Sequence, residues 1–80
     1  MEVLNLGYNN VVLKRRVVAV LGVGPNPIRR LIEVARKENR LIDATSGRKT
    51  RSVIITDANF LILSSLQPQR LIERISKDGV

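Results

Sequence analysis

The sequence predicts a small α+β domain: an antiparallel-rich β-sheet of short strands with one long helix and one short C-terminal helix. Three observations predict it. The chain has 80 residues, enough for one core, so 1–80 is read as a single domain. Its apolar share is almost wholly aliphatic, with ten Leu, ten Val and eight Ile beside one Tyr and one Phe, and it falls in short β-branched runs. Between those runs, two segments carry apolar residues at helical spacing.

Val3–Leu6 reads as a strand, and Gly7-Tyr8-Asn9-Asn10 as a turn of residues that tolerate positive φ. Val11–Leu13 and Val17–Leu21 follow, separated by the triplet Lys14-Arg15-Arg16. After a loop from Gly22, Asn26 is placed as the N-cap of the long helix and Pro27 at its first position, where a missing N–H costs nothing. Ile28, Leu31, Ile32 and Ala35 form its apolar stripe, and the helix runs to about Asn39. Leu41–Thr45 and Arg51–Thr56 are strands around Ser46-Gly47-Arg48-Lys49-Thr50, which reads as a hairpin with a basic tip. Asp57-Ala58-Asn59 turns the chain into the strand Phe60–Leu66, with Phe60 in the core. The last helix starts near Pro68, carries Leu71, Ile72 and Ile75, and frays at Lys77-Asp78-Gly79.

Val17-Val18-Ala19-Val20-Leu21, Val53-Ile54-Ile55 and Phe60-Leu61-Ile62-Leu63 lack the alternation of a sheet wet on one side. Two amphipathic helices can cover one face, so the second face is expected to meet another subunit. The competing account is a monomer with some exposed Val and Ile.

Composition narrows function sharply. The absence of Cys and His removes disulfides, thiol chemistry, the usual general base and the commonest metal ligands, so no metal and no cofactor are expected. No run approaches the roughly 20 apolar residues of a membrane span, and no secretion signal opens the chain, so a cytoplasmic, nucleoid-associated protein is expected. The positive finding is charge. Ten Arg and four Lys against seven acids give +7, a balance that speaks to anionic partners. Arg predominates, and its planar fork bonds phosphate and base edges bidentately.

Three basic clusters compete as sites. Lys14-Arg15-Arg16 has no acid between Glu2 and Glu33 in sequence. Arg29-Arg30 sits in the first turn of the long helix, against the macrodipole, which suggests a phosphate contact; pairing with Glu33 one turn on is the plainer account. Arg48-Lys49-Thr50-Arg51 puts three cations in four residues with no acid alongside, and a solvated turn is its plain reading. Other motifs fail. Gly47-Arg48-Lys49-Thr50 lacks the Gly-Lys step and upstream Gly of a phosphate-binding loop, and Gly22-Val23-Gly24 lacks a third glycine. Glu33, Glu38, Glu73, Asp43 and Asp57 form no acid/base pair in sequence, and Ser64-Ser65 has no base in register. No catalysis and no small-molecule substrate are expected. Tyr8 and Phe60 are too few to stack single strands, which leaves Arg-led binding of duplex DNA. RNA or ribosome binding, and an oligomeric scaffold for acidic protein or lipid, remain as alternatives.

Four segments resemble the RemA family of bacterial extracellular matrix regulatory proteins. They are Asn5-Leu6-Gly7-Tyr8, the helix from Pro27 to Arg36, Leu41-Ile42-Asp43-Ala44-Thr45-Ser46-Gly47-Arg48-Lys49-Thr50-Arg51 with the strand after it, and Ile62-Leu63-Ser64-Ser65-Leu66-Gln67-Pro68. The resemblance implies a subunit of a closed homo-oligomeric ring, larger than a dimer, whose arginines engage double-stranded DNA to control transcription of biofilm matrix genes. By position it assigns DNA contact to Arg16, Arg48 and Lys49; Arg51, Lys14 and Arg15 join them on charge. Lys49 stands where a second Arg is expected, Ser46 where an aromatic is usual, and Lys14 and Arg15 are additional cations.

Overall fold

The computed structural model describes residues 2–78, apart from the side chains of residues 77 and 78. The strands are β1 (Val3–Gly7), β2 (Asn10–Leu13), β3 (Val17–Gly22), β4 (Leu41–Asp43), β5 (Ser52–Thr56) and β6 (Leu61–Ser64). Helix α1 (Asn26–Lys37) joins β3 to β4, and α2 (Pro68–Asp78) follows β6. Lys14–Arg16 form one 3-10 turn between β2 and β3. The expected α+β class holds, although the two helices are nearly equal, at 12 and 11 residues. α2 continues through Lys77 and Asp78, where fraying is expected from the sequence, and Gly79 lies outside the described residues.

β1 and β2 form an antiparallel hairpin, while the other strands make one sheet in the order β3-β5-β6-β4. β5 runs antiparallel to both neighbours, and β4 pairs parallel to β6. Here the structure corrects the sequence reading: Leu41–Asp43 and Ser52–Thr56 are not hairpin partners. β6 lies between them, because Leu61–Ser64 is buried along its whole length and must sit inside the sheet. Residues 44–51 are therefore a bridge across the end of β6. The Ala44 amide donates to the Leu63 carbonyl (2.9 Å) and the Arg51 amide to the Ser64 carbonyl (2.9 Å).

Both faces of this sheet are closed within one chain. On one face Ala35, with Ile28 and Ile32 of α1, packs on Val53, Leu61 and Leu63. On the other, Leu4 and Leu6 of β1 and Leu71 of α2 pack on Ile54 and Ile62. The doubly apolar strands thus need no second subunit. The β1–β2 hairpin is a separate covering layer, which an expectation of two helices on one sheet leaves out. What stays open is the rim. Val18, the extra residue of a bulge in edge strand β3, is 66% exposed. At the opposite edge Ile42 is exposed; Phe60, in the connection between β5 and β6, is exposed too and is not core. Leu31 also faces out, together with Val34, because the buried stripe of α1 is Ile28, Ile32 and Ala35.

α1 begins without a side-chain cap. Pro25 is the capping residue instead of Asn26, and its carbonyl accepts from the amides of Ile28 and Arg29. The helix ends in a Schellman arrangement, with Asn39 left-handed (φ 59°), its amide on Arg36 and the Arg40 amide on Ala35. Among the described residues, no helix is long and apolar enough to cross a membrane.

Candidate nucleic-acid interface

β3, β6 and β4 run in the same direction, so their C-terminal ends share one end of the sheet. From that end the chain enters α1 after β3, the 44–51 bridge after β4, and α2 after β6. Both helix N-termini and their partial positive charges gather there. So do Arg48, Lys49 and Arg51 on the bridge, and Arg29 and Arg30 in the first turns of α1. Arg70 joins them in the first turn of α2.

The bridge is built to hold its shape. The Asp43 carboxylate accepts from the Thr45 amide (2.9 Å) and the Thr45 hydroxyl (2.6 Å). Those two hydrogen bonds, hydroxyl first, hold the Asp43 carboxyl below the usual aspartate range. The Arg48 amide then closes a tight turn on the Thr45 carbonyl, with Ser46 and Gly47 both left-handed (φ 54° and 80°). Gly47 has open space where a Cβ would go, so its conformation and not crowding requires glycine. The turn projects Arg48 and Lys49, and both are exposed, as is Arg51.

A second turn docks beside the first. Tyr8 and Asn9, between β1 and β2, are left-handed (φ 54° and 68°), as a tight primed hairpin turn requires. For a tyrosine this conformation costs roughly 1–2 kcal/mol, and Asn or Gly fits it better. The Asn10 amide group bonds the carbonyls of Gly7 and Tyr8 and reaches across to that of Ala44 (3.4 Å). The Arg48 guanidinium lies 4.5 Å from the Tyr8 ring centroid and donates from Nε to the Tyr8 hydroxyl. Tyr8 and Phe60 are too few to stack single strands, yet Tyr8 holds an arginine. Its left-handed turn was legible in Gly7-Tyr8-Asn9-Asn10, but its arginine partner, 40 residues away, was not.

The triplet Lys14-Arg15-Arg16 is elsewhere. β3 starts where β5 ends, with Val17 opposite Thr56. Arg16 is thus separated from Arg51 by the five residues of β5, about 17 Å of extended chain. Nor is the triplet without an acid. Asp57, distant in sequence, takes the Arg16 Nε on both oxygens (2.7 and 2.9 Å) in a half-exposed pair. Lys14 donates to the carbonyls of Arg74 and Ile75 (3.0 and 3.2 Å) and so fastens α2 to the 3-10 turn. Arg15 is exposed. Glu33 bonds Arg36 in place of the expected Arg29 or Arg30. Ser64 is fully buried, with its hydroxyl donating to the Leu6 carbonyl and accepting from the Leu66 amide, which occupies it structurally.

A family described as RemA-like, extracellular matrix regulatory protein A-like, matches this sequence over residues 3–75. The chain belongs to the RemA-like family. Its relatives include proteins named "Putative regulatory protein" in three bacteria. One from Thermodesulfovibrio yellowstonii is 47% identical over 92% of this chain and 87% of its own length. Another, from Nitratidesulfovibrio vulgaris, is 48% identical over 96% and 88%. The third, from Finegoldia magna, is 47% identical over 99% and 95%. The name these RemA-like relatives carry is regulatory and not enzymatic, in line with the family that the sequence motifs resemble.

Proposed function

We propose that this RemA-like chain is a non-enzymatic regulator that binds duplex DNA through the end of the sheet carrying Arg48, Lys49 and Arg51. The observation that carries the reading is the bridge itself. Arg48 and Lys49 project from a hydrogen-bonded turn, Arg51 follows them, and none of the three meets an acid among the described residues. Asp43, the acid nearest in sequence, is bound to Thr45. Cations fixed in register, beside two helix N-termini, suit a row of phosphates. Arg29 and Arg30 add charge at the same end. Arg15 and Arg16 form a second contact. A duplex lying along β5 would meet both clusters within about five base-pair steps.

Ring assembly belongs to this reading. Exposed apolar residues sit on opposite rims, Val18 at one edge strand and Ile42 at the other. Two different surfaces on opposite sides permit head-to-tail contacts, which close into a ring when the rotation allows. The regulated genes would be those of a biofilm matrix, as in the family the motifs resemble, and the complex would reside on the nucleoid.

Fluorescence anisotropy with labelled duplex, single strand and RNA of one sequence tests the proposal. Duplex is expected to bind tightest, with a steep loss of affinity as salt rises. Preference for RNA, or a flat salt response, would overturn it in favour of an RNA-binding protein or a protein scaffold. Sedimentation at low micromolar concentration is expected to show a species well above a dimer.

A further inference from the structure

Tyr8 stands out because the fold does not require it. It occupies a left-handed turn position that suits Asn or Gly, lies outside both apolar cores, and is 46% exposed. Yet its ring faces the Arg48 guanidinium and its hydroxyl accepts from Arg48 Nε. Those contacts have two chemical consequences. With Nε engaged, the guanidinium cannot rotate freely, and its Nη edge is the one left to meet a ligand. With its oxygen serving as acceptor, the phenol keeps its own hydrogen to donate.

We propose that Tyr8 and Arg48 together form a two-donor site for one phosphodiester of the bound duplex. The phenol O–H donates to one non-bridging oxygen and the Arg48 Nη–H groups to the other. The Asn10–Ala44 hydrogen bond keeps the two turns in the register that this requires. The inference rests on the duplex-DNA reading and adds to it a neutral donor, supplied by a different part of the chain. Because Tyr8 is uncharged, its share of the binding is independent of counterion release, whereas that of Arg48 is not.

The test compares parent, Tyr8→Phe, Arg48→Ala and the double variant by duplex anisotropy across a salt series. Tyr8→Phe keeps the ring and loses only the hydroxyl. It is expected to weaken binding about fivefold at every salt concentration, with the slope of log affinity against log salt unchanged. In the Arg48→Ala background the same change is expected to cost little, because its partner is gone. The sole tyrosine, replaced by 3-fluorotyrosine, gives one 19F resonance that is expected to move on duplex addition. If Tyr8→Phe binds like the parent and the resonance stays put, while Arg48→Ala weakens binding, the two-donor site is wrong and the DNA reading stands. If neither variant changes binding and the duplex affinity resists Lys49→Ala as well, the DNA reading itself fails.

Discussion

Replacing Arg48 and Lys49 by Ala in one variant gives a consequence that can be worked through in magnitude. Each phosphate neutralised contributes about −0.9 to the slope of log affinity against log salt, so the variant's slope is expected to be shallower by about 1.8. Between 50 and 200 mM salt that difference amounts to about tenfold. Parent and variant therefore converge as salt rises, and a single-condition comparison at high salt would understate the loss. If several subunits of a ring touch one duplex, the change in slope scales with the number engaged. The fold is expected to hold: both side chains are exposed, and such surface changes cost about 0.5 kcal/mol or less. Losing the Tyr8 contact adds little, since the turn is closed by its own backbone and by Asp43. Anisotropy over a salt series and a thermal melt read both quantities on the same sample. A variant that keeps the parental slope would refute the reasoning, because the projecting turn would then be only a solvated loop.

Asp57→Asn removes the carboxylate that holds Arg16; affinity for duplex and the steepness of its salt dependence are expected to rise, while stability falls by about 1 kcal/mol at most. An unchanged salt slope would exclude Arg16 from the DNA contact. Gly47→Ala is expected to destabilise the protein by about 1 kcal/mol through its positive φ alone, which a denaturant midpoint measures; no change would mean that the turn can adopt another conformation. The Asp43 carboxyl is depressed in the folded state, so its contribution to stability is complete above its unfolded value. It is lost as pH falls below about 4. Asp43→Asn keeps an acceptor and is expected to flatten that limb of the stability–pH profile, followed by denaturant titration at stepped pH.

Local pattern carried the elements further than it carried their arrangement. All six strands and both helices were legible, because β-branched runs, Pro at a helix start and the 3.6-residue stripe are properties of contiguous segments. Partnership was not. Leu41–Asp43 and Ser52–Thr56 look like a hairpin when read alone, and only the insertion of β6 refutes it. A clue was present in Leu61-Ile62-Leu63, apolar at every position: such a strand belongs inside a sheet, with neighbours on both sides. Applied to Val53-Ile54-Ile55 as well, the same logic makes β5 and β6 the central pair, but it would also place Val17-Val18-Ala19-Val20-Leu21 inside, and β3 is an edge strand. These runs point to a missing subunit when read alone, but a layer of the chain's own β1–β2 hairpin fills the place.

The candidate site shows the same division. Its charges are visible in Arg48-Lys49-Thr50-Arg51, but what fixes them comes from places that sequence distance hides. Asp57 reaches Arg16 across 41 residues, and Tyr8 reaches Arg48 across 40. The two pairings point in opposite directions. An acid beside Arg16 offsets its charge, which lowers the net gain from a phosphate contact there. A phenol beside Arg48 neutralises nothing and fixes the geometry of the guanidinium while leaving its full charge for the ligand. The two arginines are alike in sequence, but only the one held by a neutral partner is ready for an anion without giving up an ion pair, and this makes the bridge rather than the triplet the centre of the proposed interface.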